Sequence, residues 1–102
     1  MKKMYNTANS IVIEQNKKTL FGEKIVVKEI ELNDIVSFQI EKMYNELNSI
    51  CIIKQNNNEE FFTIEEFSNL NDIVRFLIDE RNKGKKYEIL EFDIETCESR
   101  QI

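Results

Sequence analysis

Apolar positions along the chain alternate with polar ones in short runs, and only between Leu70 and Ile78 do they switch to a spacing of three and four. Alternation puts every second side chain on one face of a strand, whereas the longer spacing puts a stripe along one side of a helix. The first run, Ser10-Ile11-Val12-Ile13-Glu14, packs β-branched residues too closely for a helix of that length and predicts a strand. Gln15 to Lys18 carries turn residues, after which Thr19-Leu20-Phe21 and Lys24 to Ile30 predict two strands joined through Gly22-Glu23. Asn33-Asp34 breaks the pattern before Ile35 to Glu41, where Val36, Phe38 and Ile40 alternate with Ser37, Gln39 and Glu41. Ser49 to Lys54 and Glu60 to Ile64 flank Gln55-Asn56-Asn57-Asn58, and asparagine tolerates positive φ, so a long hairpin is expected there.

From Leu70 the stripe Leu70, Ile73, Val74, Leu77, Ile78 predicts an amphipathic helix over 69–83. Ser68 or Asn69 caps its start in this reading, Arg75 and Asp79 form an i,i+4 pair, and Gly84 closes it. A last strand is expected over 87–95, with Leu90, Phe92 and Ile94 on the core face and Glu91, Asp93 and Glu95 opposite. The predicted fold is α+β and β-rich: a strongly bent antiparallel sheet or small barrel of about six strands, capped by the helix, plus the C-terminal strand. A length of 102 residues suits a single globular domain, read as 10–95 between a flexible N-terminus, 1–9, and a C-terminal tail, 96–102.

Composition narrows the chemistry. The chain has no His, Trp or Pro and two glycines, Gly22 and Gly84. Lacking imidazole, it has no Ser/His/Asp or Cys/His arrangement and no His-containing zinc site. Two glycines so far apart make neither a Walker loop nor a dinucleotide fingerprint. Cys51, inside the most apolar run, reads as a small hydrophobe, and Cys97 lies in a polar segment; neither has the neighbouring cysteine of a redox pair. No cofactor and no metal are expected. Glu91, Asp93 and Glu95 on one strand face would stand about 7 Å apart, close enough for a divalent cation, but no Asp-x-Asp-x-Asp-Gly loop supports that use. The bland interpretation, a solvated strand face, is preferred.

Nineteen acidic against fourteen basic side chains give a net charge of −5, which disfavours nucleic acid and anionic membranes as general partners. Lys17-Lys18 with Lys83, Lys85 and Lys86 would make a phosphate-contacting patch if the first turn and the helix end were neighbours, with Phe61 or Phe62 as a stacking platform. No segment is apolar enough to span a membrane, and the start lacks the apolar stretch of a signal peptide, so a cytoplasmic setting is expected. The acidic residues Glu88, Glu91, Asp93, Glu95 and Glu98 are the candidate partner-binding strip, and the last strand is a candidate homodimer contact.

The run Lys24-Ile25-Val26-Val27-Lys28-Glu29-Ile30-Glu31-Leu32-Asn33-Asp34-Ile35-Val36-Ser37-Phe38 resembles the strand, short break and Ile-led strand of bacterial pleckstrin-homology-like domains. The hairpin from Ile50 to Ile64 and the helix from Asn69 to Lys83 continue the resemblance, which covers about residues 10–83. The resemblance implies a bent sheet plugged by the helix and a non-catalytic binding scaffold; it does not imply lipid binding. Unlike the family pattern, this chain runs on past the helix. The expected function is a non-enzymatic intracellular protein–protein interaction module, an adaptor or regulator. The alternative is a small acidic inhibitor, of the kind phages and mobile elements encode, that blocks a basic nucleic-acid groove of a host enzyme.

Overall fold

A computed structural model describes residues 2–102. Eight strands and one α-helix follow in the order β1 (Lys2–Asn6), β2 (Ser10–Thr19), β3 (Gly22–Glu31), a single 3-10 turn, β4 (Ile35–Met43), β5 (Glu46–Lys54), β6 (Glu59–Thr63), α1 (Leu70–Asn82), β7 (Glu88–Asp93) and β8 (Glu98–Gln101). They form two open sheets, β1-β2-β3 and β6-β5-β4-β7-β8. The fold is therefore α+β and β-rich, as the periodicity predicts, but it consists of two sheets with little curl in place of one strongly bent sheet or barrel.

Register explains where the core lies. Phe38 pairs with Ile52, Ile40 with Ile50, Ile50 with Phe62, and Phe38 with Ile89 across the parallel β4–β7 ladder, so these six buried side chains share one face of the larger sheet. On that face pack Leu70, Ile73 and Leu77 of α1 and the Met4, Ile11, Ile13 and Ile30 end of the smaller sheet, all in one cluster. Phe62 and Phe67 meet edge to face, ring centroids 5.6 Å apart, an arrangement the aromatic quadrupole favours. Asn69, the residue before the helix, sends its amide to the Met4 carbonyl at 2.7 Å, and Lys2 pairs with Glu66 at 2.7 Å. These polar ties hold β1 against the helix start.

Several sequence expectations are corrected. Residues 1–9 are not a flexible lead as far as they are described: β1 pairs along β2 in full register and buries Met4, a strand too short and too polar to show as alternation. The 96–102 segment likewise holds β8, paired with β7. Gln15 to Lys18 is no turn, because β2 runs unbroken to Thr19 and the reversal is made by Leu20 and Phe21. Asn69 makes no side-chain cap, and Arg75 lies 3.9 Å from Asp72 instead of pairing with Asp79. In β7 the faces are the reverse of those predicted: Tyr87 and Ile89 are buried on the helix side, which also carries Glu91 and Asp93, while Leu90 and Phe92 turn to the other face half-buried. Parallel pairing to β4 imposes this parity by setting Ile89 beside Phe38.

Candidate functional site: an apolar arm tip and an acidic-edged cleft

Two features stand apart from the core. The first is the distal part of the β2–β3 ladder. Its root is buried through Ile11, Ile13 and Ile30, but from Asn16 outward almost every side chain is in water, and the long axis of the molecule reaches 48 Å. Leu20 and Phe21 form the tip, each 99% exposed, with Ile25 and Val27 also exposed along the arm. The turn is well defined locally. Gly22 takes φ of 120°, a region open to glycine, while the Thr19 hydroxyl accepts from the Phe21 N–H at 3.2 Å and donates to the Gly22 carbonyl at 2.9 Å. Two large apolar side chains are thus held at the tip by turn chemistry, with no packing against the described residues to explain them.

The charges behind the tip are unusual. Lys17 stands directly opposite Lys24, and on the other arm face Lys18 stands opposite Glu23. Like charges directly opposite on a ladder are destabilising. Among the described residues neither Lys17 nor Lys24 has an ion-pair partner. The end of the arm is therefore a local positive patch with an apolar point, on a chain whose overall charge is negative.

The second feature is a cleft of about 540 Å³ between α1 and the larger sheet. Its apolar walls are Leu47, Ile64, Val74, Ile78 and Ile102, and Glu46 stands at its rim. Val74 and Ile78 belong to the helical stripe but are only half-buried, since both line this open cleft. Next to it, sharing Asn45 and Glu91, is a polar shelf made by Glu91, Asp93, Glu98 and Arg100. Cleft and shelf together carry the carboxylates of Glu46, Glu91, Asp93 and Glu98 against the cations Lys42 and Arg100, a local balance of −2.

The five acidic residues predicted as one strip are divided by the structure. Glu91 is ion-paired to Arg100 at 3.2 Å and Lys42 at 3.6 Å. Asp93 accepts the N–H of Glu95 at 2.9 Å and of Thr96, closing the β7–β8 turn. Glu95, in that turn, accepts the N–H of Tyr44, which with Asn45 makes the positive-φ turn between β4 and β5. Glu88 is exposed on the opposite face, and Glu98 is exposed beside Asp93. Glu91, Asp93 and Glu98 thus line the shelf, whereas Glu88 and Glu95 do not. Among the described residues no group of three or more His, Cys, Asp or Glu side chains is placed to hold a metal ion.

Other candidates are also placed. Phe61 is the exposed member of its pair and Phe62 the buried one. Lys85 reaches Asn33 at the helix end, while Lys17 and Lys18 stand on the arm, so the lysines are committed to different features. Cys51 is buried, and burial with the Glu59 and Glu41 carboxylates pushes its thiol pKa up. The edges of β7 are both paired, to β4 and to β8, so that strand offers no free edge to a partner. No helix among the described residues is long and apolar enough to cross a membrane. Sequence reasoning missed both the arm tip and the cleft. Leu20-Phe21 before Gly22 was the available signal, since a two-residue loop of large apolar side chains is a poor choice for solvation alone. Comparison with family models, curated proteins and solved structures finds no match for this chain.

Proposed function

We propose that the chain is a non-catalytic protein-interaction module of the cytoplasm, an adaptor or regulator, whose contact surface is the β2–β3 arm. The observation that carries this reading is the arm tip: Leu20 and Phe21 are 99% exposed on a strand pair that continues well beyond the core. Exposed apolar points of this kind act as anchors in interfaces, where aromatic side chains supply much of the binding energy. The acidic-inhibitor reading depends on a continuous acidic strip, and the division of Glu88, Glu91, Asp93, Glu95 and Glu98 between shelf, turn and opposite face favours the arm instead.

The test is quantitative affinity capture of the tagged chain from its own cell lysate, beside a Leu20→Ser/Phe21→Ser variant with the same circular dichroism and melting curve. The reading expects at least one protein held by the parent chain and lost about ten-fold or more with the variant. Equal recovery by both forms would overturn it.

A further inference from the structure

We infer that the arm tip of one copy of this chain seats in the helix–sheet cleft of a second copy, with the lysines behind the tip on the acidic shelf. The inference rests on the reading of the arm as a contact surface and names its partner. Three observations support it. The tip presents Leu20 and Phe21, each 99% exposed, and the cleft presents half-buried Val74, Ile78, Leu47 and Ile64 around a space of about 540 Å³. A pocket of that size lies within the range of about 300–1,000 Å³ that takes compact apolar groups.

Charge matches in the same sense. The arm end carries Lys17, Lys18 and Lys24 against Glu23, a balance of +2, and the cleft with its shelf carries −2. The opposed Lys17–Lys24 rung, unfavourable in the free chain, gains partners when Glu98 and Glu46 of another copy approach it. Glu98 and Glu46 are both exposed, and neither forms an ion pair among the described residues.

Area decides the form of the assembly. A buried aromatic covers about 150–250 Å², so Leu20 with Phe21 removes about 350 Å² from water, the cleft a matching amount, and one contact about 700 Å² in all. That is below the roughly 1,000 Å² expected of a specific interface, whereas two reciprocal contacts about a two-fold axis reach about 1,400 Å². The closed dimer uses both tips and both clefts.

The experiment is sedimentation velocity on the purified full chain from about 1 to 500 µM, with two charge-reversed variants. Lys17→Glu/Lys24→Glu gives an acidic arm against an acidic shelf; Glu46→Lys/Glu98→Lys gives a basic arm against a basic shelf. The parent chain is expected to dimerise, each variant alone to associate about ten-fold or more weakly, and their equimolar mixture to recover dimerisation, because every arm then meets an opposite shelf. Restoration in the mixture is a result that misfolding of either variant does not produce. A parent chain that stays monomeric throughout, variants that dimerise like the parent, or a mixture that does not recover would overturn the inference. So would a monomeric chain that binds phosphatidylserine vesicles through the tip. If the parent chain is monomeric while Leu20→Ser/Phe21→Ser still loses a captured protein, the second-copy assignment falls and the interaction-module reading stands; if capture is also indifferent to the tip, both fall.

Discussion

The two ends of the β2–β3 ladder share one backbone pattern and almost nothing else. At the root, Ile11 opposite Ile30 is sealed within the core cluster; at the far end, Lys17 opposite Lys24 and the Leu20-Phe21 tip are in water. Both ends keep antiparallel register without a bulge. Side-chain burial therefore sets stability at one end, while backbone pairing with turn chemistry sets geometry at the other. A strand pair continued past its core is weakly held by its own packing, so its side chains are free to be chosen for contact.

The largest test of that contrast is a truncation in the core. Leu77→Ala in the sealed cluster is expected to cost about 2–5 kcal/mol in urea unfolding, because it removes a fully buried side chain and leaves a cavity beneath α1. Next comes ionisation of Tyr87, a body residue whose buried hydroxyl donates to the Leu77 carbonyl. Burial, with the nearby Glu80 carboxylate, pushes its pKa up to about 12. The folded state thus holds this proton more tightly than the unfolded chain, whose tyrosine titrates near pH 10. The stabilisation is complete below about pH 10 and lost as pH rises toward 12, a decline of about 2 kcal/mol that Tyr87→Phe should remove from the pH–stability curve.

On the arm, effects should be smaller and local. Gly22→Ala meets no atom within 4 Å but must adopt φ of 120°, so it should cost about 1 kcal/mol and speed amide exchange around Thr19 more than in β4 or β5. Lys24→Glu should instead stabilise the arm by about 0.2–1 kcal/mol by turning an opposed like-charge rung into a paired one. Ile25→Ser is expected to leave global stability within about 0.5 kcal/mol, and a loss comparable to Leu77→Ala would show that the arm belongs to the core after all.

Much of the fold could be read from the sequence, since periodicity is written by burial. The 70–78 stripe marked the helix, and Asn57 adopts the positive φ that the asparagine run predicted for the β5–β6 turn. What escaped was fixed by partners distant in sequence. The parity of β7 depends on its parallel alignment with β4, and no local pattern records that Ile89 lies beside Phe38. The Tyr44-Asn45 turn lacks the glycine that usually announces such a reversal and is braced from outside by the Glu95 carboxylate. Of the candidate site, the acidic residues Glu91, Asp93 and Glu98 were visible as charges, but the cleft they edge exists only once α1 crosses the sheet. The tip was in plain view as Leu20-Phe21, yet apolar letters between strands read as strand until the register is known.

The β4–β7 ladder also governs the order in which the molecule can be completed. β4 lies in the middle of the five-stranded sheet, but its second edge is covered by residues 88–93, about fifty positions later in the chain. Closing so long a loop is entropically costly, and parallel pairing over such a separation is slow. During synthesis the hairpins from β1 to β6 can assemble first, leaving the centre of the future sheet as an open edge beside Phe38 and Ile40. The seam that finishes the protein therefore runs through its middle, and a ribosome paused before Glu88 would hold a chain ready to pair with a stranger.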